Sequence, residues 1–126
     1  MSPYPDLNNR VALVTGASRG IGAAIAAALA DAGAAVAVNY RERAAEADKV
    51  AGAIRQRGGR AVTVEADVSQ SMAVSRMIER VTTELGPIDI LINNAGVGLN
   101  RTIDTVTEAD FDLTIAVNLK SAFLCT

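Results

Sequence analysis

The sequence predicts an α/β fold, a doubly wound parallel sheet with helices on both faces. Three observations carry that prediction. Short apolar runs alternate along the chain with stretches whose apolar residues recur at helical spacing. The runs are nearly continuous in apolar residues, as suits strands covered on both faces. A cluster of glycines stands between the first run and the first helical stretch.

The elements follow in order. VALVT (11–15) is the first strand. Ile21, Ile25 and Leu29 then repeat at i, i+4 and i+8, which is one face of a helix, and Gly33 is placed to end it. AVAVN (35–39) is the second strand. A helix from 44 to 57 puts Ala47, Val50 and Ile54 on one side, and Gly58-Gly59 stops it. AVTVE (61–65) is the third strand. Ser69 is placed to cap the next helix, which aligns Val74, Ile78, Val81 and Leu85 and terminates at Gly86-Pro87. IDILIN (88–93) is the fourth strand. Thr107 and Asp110 form a capping box that opens a last helix running to Thr126. Right-handed crossovers then give the strand order 3-2-1-4, with a ligand crevice beside strands 1 and 4, where the order reverses. Residues 1–9, polar and carrying Pro3 and Pro5, read as a loose arm, and 10–126 as one domain.

Composition narrows the function. A chain of 126 residues has the size of one domain, and with 50% apolar and 21% charged residues it reads as soluble and globular. The net charge is −2 and the basic residues are scattered, which disfavours nucleic acid and anionic membrane as partners. The weakly polar stretch from Ile21 to Val38 carries Asp31 and reads as helix and strand rather than a membrane span. No signal-peptide pattern opens the chain, and the lone Cys125 fits a reducing cytoplasm. With no histidine and one cysteine, a Ser-His-Asp triad and most metal centres are ruled out; no metal site is expected.

The glycine cluster is TGASRGIG (15–22). Following a strand and opening a helix, it has the context of a dinucleotide-binding turn. Gly16 makes the tight turn, a missing side chain lets backbone approach a pyrophosphate, and Gly22 lets the helix lie close to the sheet. Unpaired N–H groups and the positive end of the helix dipole face the phosphates. The spacing is G-x-x-x-G-x-G, and a tight strand-to-helix turn alone would also explain it. No Gly-Lys-Ser/Thr follows, so this is not a phosphate P-loop.

With three further motifs the chain resembles the short-chain dehydrogenase/reductase family, over almost everything after Asn9. TGASRGIG resembles that family's cofactor turn, Asp67-Val68 its adenine-contacting pair, and NNAG (93–96) its strand-4 closure. Asn118, in VNLKSAF, stands where the family has a catalytic asparagine. The resemblance implies a Rossmann-type sheet truncated after the start of the fifth helix, and a cofactor site of Gly16, Ser18, Arg19, Gly20, Ile21, Gly22, Asn39, Arg41, Asp67, Val68, Asn94, Ala95 and Gly96. Within the family it looks most like the 3-oxoacyl-carrier-protein reductases.

Each residue also has a plainer reading. Asp67 would accept from the adenine amino group, or cap the next helix. Asn93 and Asn94 would bridge strands at the crevice, or form an ordinary turn. Asn118 would hold a water in a proton relay, or bond an adjacent turn. For the cofactor, NAD binders place an acid near the end of strand 2, whereas this chain has the neutral Asn39 there. Arg19 and Arg41 could clamp a 2′-phosphate, which favours NADP over NAD. Arg41 and Arg43 beside Glu42 could instead be a solvated turn.

The family's remaining catalytic groups are a serine and a Tyr-x-x-x-Lys pair. Tyr4 and Tyr40 are followed four residues on by Asn8 and Ala44, so neither starts that pair. The chain therefore reads as the N-terminal half of an NADP-dependent oxidoreductase, incomplete as a domain and inactive alone. The full-length form would be a homo-oligomer acting on a small carbonyl or alcohol, free or carrier-protein-linked. The alternative is a nucleotide-binding fragment, or a partner-dependent module, that performs no chemistry.

Overall fold

The computed structural model describes residues 6–96 and 104–126. Strand β1 (Val11–Val14) leads to helix α1 (Gly20–Asp31), β2 (Ala35–Tyr40), α2 (Ala44–Gln56), β3 (Ala61–Glu65), α3 (Ser71–Leu85) and β4 (Ile90–Ile92). Helix α4 (Glu108–Ile115) then passes through a π-helical stretch, Ala116–Lys120, into α5 (Ser121–Cys125). The sheet is parallel throughout and ordered β3-β2-β1-β4, as expected.

Alternation along the strands splits the core in two. Ala12, Val14, Val36 and Val38 face α1 and α2, meeting Ala26, Ala47, Ala51 and Ile54. Val11, Leu13, Ala37 and Val64 face the other way, meeting Val74, Met77 and Val81 of α3 and Cys125 of α5. Both faces of β1 and β2 are thus covered, which is why their sequences are almost wholly apolar.

Helices α1 and α2 stop in the same way. The Gly33 N–H donates to Ala30 O (2.9 Å) and the Ala34 N–H to Leu29 O (3.1 Å); the Gly58 N–H donates to Arg55 O and the Gly59 N–H to Ile54 O (3.0 Å each). These are paired Schellman bonds, and they require the positive φ of Gly33 (107°) and Gly58 (87°).

Five details differ from the sequence reading. Strand β1 ends at Val14, leaving Thr15 outside it for other bonds. Strand β4 spans three residues rather than 88–93. Asp89 explains its late start: its carboxylate accepts from the Val11 N–H (2.9 Å) and occupies the donor a longer strand would use. Ile21 does not join the buried face of α1 and is 75% exposed in its first turn. Ser69 does not cap α3; the N-cap is Gln70, and the Ser69 hydroxyl is spent on Asp67. The last helix is not a regular α-helix, since the π-helical stretch interrupts it.

The capping box of Thr107 and Asp110 is present with both bonds. Of the expected loose arm over 1–9, residues 1–5 lie outside the described residues. Leu7 and Asn8 are held against the end of α1, with the Leu7 N–H donating to Ala32 O at 2.8 Å. Among the described residues, no helix is long and apolar enough to cross a membrane.

Candidate functional site

In a parallel sheet every strand ends on the same side, so the loops after β1, β2, β3 and β4 meet along one edge. Those loops carry residues 15–22, Arg41, Asp67-Val68 and 93–96. The sequence-predicted residues are therefore brought together at one edge, with Asn118 beside them.

The crevice between β1 and β4 is stitched by Thr15 and Asn94. Thr15 is buried, and its Oγ1 accepts from the Asn94 and Ala95 N–H groups, each at 3.0 Å. Asn94 Nδ2 donates to Thr15 O (3.2 Å) and Gly16 O (3.0 Å). Asn94 thus bridges the strands, while Asn93 is exposed. Ala95 lies so close to Gly16 that a Cβ on that glycine would stand 2.9 Å from the Ala95 Cα. Sequence reasoning missed Thr15, taking it as a strand residue. The signal was a polar residue closing an apolar run.

The glycine loop is held from the other side by Asn39. The Gly16 N–H donates to Asn39 Oδ1 (3.1 Å) and the Ala17 N–H to Asn39 O (2.8 Å). Asn39 Nδ2 donates to Val64 O and Ala66 O, both at 3.3 Å. Asn39 is 2% exposed, so its amide points into the protein and not into the crevice.

Beyond Ala17 the loop opens. The N–H groups of Ser18, Arg19, Gly20, Ile21 and Gly22 donate to no protein acceptor among the described residues. No side chain caps α1, and its first turn holds no acid. Free N–H groups at a helix start, with the positive end of its dipole, form a site for an anion.

Asp67 sits at the end of β3. Burial pushes its carboxyl pKa up, but the Ser69 hydroxyl (2.6 Å) and N–H (3.0 Å), with Arg41, outweigh that and hold it below the usual value. It is therefore ionised at neutral pH. Arg41 Nε stands 3.6 Å from Asp67 Oδ2, and Arg43 pairs instead with Glu46 at 3.2 Å. Arg19 is exposed and forms no ion pair among the described residues. The Val68 N–H has no protein acceptor among them either, although the Val68 side chain is in the core.

Asn118 lies in the π-helical stretch, and its Oδ1 would be 3.1 Å from a Cβ on Gly96. A side chain at 96 would press on it. Extra residues of this kind in helices are frequent at functional sites. Among the described residues no cluster of metal-ligating side chains occurs, and Cys125, buried in the core, has its thiol pKa pushed up by burial.

The chain as a whole is similar to known proteins. The chain is 47% identical over 120 residues to an uncharacterized oxidoreductase of Methylorubrum extorquens, covering 95% of this chain and 48% of that one. A dehydrogenase/reductase from Sinorhizobium meliloti superposes with a TM-score of 0.93 at 44% identity, over 95% of this chain and 48% of its own. A short-chain dehydrogenase from Burkholderia cenocepacia, solved in complex with NADP, superposes with a TM-score of 0.91 at 42% identity, over 94% and 49%. The chain thus spans about half the length of the curated relatives it matches. Other relatives bear the names of an aldehyde reductase-like protein, a tetrahydroxynaphthalene reductase and a 3-oxoacyl-[acyl-carrier-protein] reductase, at 42%, 38% and 42% identity, so no single subtype is picked out. The profile of the family described as short chain dehydrogenase matches residues 10–126, and with it the crevice, the glycine loop and the sheet order agree: this chain belongs to the short-chain dehydrogenase family.

Proposed function

We propose that this chain is the cofactor-holding part of an NADP-dependent oxidoreductase that interconverts a carbonyl and an alcohol. The observation that supports it best is the run of free N–H groups from Ser18 to Gly22, at the uncapped start of α1 and across the crevice from Asn94–Gly96. Those groups would hold the pyrophosphate. Gly16 and Gly22, which have no room for a Cβ, keep the loop low enough for it to pass.

The adenosine end would lie toward Asp67, whose ionised carboxylate accepts from the adenine amino group while the Val68 N–H donates to the ring. Arg19 and Arg41 would take the 2′-phosphate, and Arg41 would turn from Asp67 to do so. Asn39 acts from behind, through Gly16. When bound, the nicotinamide supplies or accepts the hydride. Asn118, beside Gly96, would hold a water at that end. The NADP bound in the Burkholderia protein adds support for that cofactor. A carrier-protein-linked 3-oxoacyl group is one substrate of the right class, and the related reductases act on others.

The 126 residues contain no Tyr-x-x-x-Lys pair. A second reading is a nucleotide-binding module that performs no reaction of its own. Both readings expect binding by the 126-residue chain without turnover. Titration with NADPH and NADH, followed by the quenching or enhancement of dihydronicotinamide fluorescence, tests them together. NADPH should bind at least about tenfold more tightly, the worth of one charge-assisted contact. Equal affinities would remove the 2′-phosphate assignment, and binding of neither would remove the nucleotide reading. Oxidation of NADPH by this chain with any ketone would overturn the inactive state.

A further inference from the structure

Near the end of β2, where NAD binders of this architecture carry an acid, Asn39 turns its amide into the protein. Asn39 is almost wholly buried, and every polar atom of its side chain is used inside the protein. Oδ1 accepts from the Gly16 N–H on β1's side, and the two hydrogens of Nδ2 go to Val64 O and Ala66 O on β3's side. Its backbone carbonyl adds the Ala17 N–H. One side chain therefore ties the first glycine of the anion-binding loop to the strand end that delivers Asp67 and Val68.

We infer that Asn39 is a positioning residue: it fixes the separation between the loop that would hold phosphates and the edge that would hold the base. The inference rests on the nucleotide-binding reading above and adds to it a residue that touches no ligand. Chemistry explains why an amide is needed. The site presents one donor and two carbonyl acceptors, and of the uncharged side chains of this size only Asn matches both. A carboxylate would set an oxygen against two carbonyl oxygens, and an alkyl group would leave the part-buried Gly16 N–H without an acceptor. Asn39 also cannot be converted into a ribose contact by a single change to Asp, because the side chain points away from the crevice.

Three measurements on the same polypeptide test this. In the unsubstituted, nucleotide-free protein, the Gly16 and Ala17 amides should exchange hydrogen as slowly as those of β2, although they lie in a loop. Exchange as fast as that of Ser18 to Gly20 would overturn the inference, whatever nucleotide binding shows. In Asn39→Ala, the Gly16 amide should lose protection, the resonances of Val68 and Ser69 should shift with it, and NADPH affinity should fall at least about tenfold. Affinity within twofold of the parent would overturn it.

In Asn39→Asp, NADPH affinity should be low at neutral pH and recover as the pH falls. Burial raises the introduced carboxyl's pKa, and once protonated it can donate to one carbonyl while accepting from Gly16. A general loss of packing would not recover in this way, so a flat pH profile would overturn the inference, as would a gain in NADH affinity. If the parent protein shows slow Gly16 exchange that Asn39→Ala abolishes, yet binds no NADPH, the positioning role stands and the nucleotide reading is the one that fails.

Discussion

Asn94 Nδ2 lies 2.5 Å from the point where a Cβ on Gly22 would stand. The Gly16 carbonyl oxygen is equally near, also at 2.5 Å. Replacing a helical glycine with alanine gains about 1 kcal/mol where space is free. Here the clash wins, since overpacking costs about 1–3 kcal/mol and the neighbours are backbone and a committed amide. Gly22→Ala should therefore lower stability in urea unfolding and weaken NADPH binding. Gly20 is the control: its φ is 62°, but a Cβ there would meet nothing within 4 Å. Gly20→Ala should carry only the left-handed backbone cost of about 1–2 kcal/mol, and Gly20→Asn should cost less.

Thr15→Val keeps the shape of the side chain and removes its oxygen. The Asn94 N–H retains Ile92 O as an acceptor at 3.1 Å, whereas the Ala95 N–H loses its bond. A buried donor without a partner costs about 1–3 kcal/mol, and for the part-buried Ala95 N–H the loss should lie near the lower end. Denaturant midpoints should show that loss in Thr15→Val and most of it restored in Thr15→Ser.

The Asp67 carboxyl pKa is lowered in the fold, so the sign of its pH dependence is set. Its contribution to stability is fully present above the unfolded value of about 3.9 and is lost as the pH falls through the lower folded value. Thermal unfolding of the parent and Asp67→Asn across acid pH should show a gap at neutral pH that closes below about pH 4. A gap that stays constant into strong acid would remove the electrostatic account.

Arg41 divides stability from specificity. Its ion pair with Asp67 is exposed and 3.6 Å long, so Arg41→Ala should change stability by less than about 1 kcal/mol. NADPH affinity should fall about tenfold while NADH affinity holds, as titration of both nucleotides will show. An equal loss for both would place Arg41 away from the 2′-phosphate.

The sheet order and both Schellman stops were legible because each rests on local chemistry: apolar runs, a 3.6-residue period, and glycines where φ turns positive. The direction of Asn39 was not. In a strand buried on both faces, alternation does not say which side a polar residue at the strand end will take. Thr15 was hidden for a related reason, since a hydroxyl closing an apolar run gains its meaning only from Asn94 and Ala95, about eighty residues away. The short β4 depended on one carboxylate, Asp89, competing for a backbone donor. Ile21 had the right spacing, and spacing alone does not say how far along a helix the covered face extends. Nothing in AVNLK, which has no Gly or Pro, announces a π-helical stretch.

That stretch has a geometric consequence. An α-helix advances about 100° per residue, so one extra residue in a turn rotates everything after it by about that angle. No residue of α4 is buried, whereas Val117, Ser121 and Cys125 are. Asp110 and Thr114, half-buried, and Val117, Ser121 and Cys125, buried, are spaced four, three, four and four residues apart, so one stripe runs down the rod from α4 into α5. Asn118 sits beside that stripe, and a deletion of one residue between 116 and 120 would break the stripe in two and swing its amide away from Gly96.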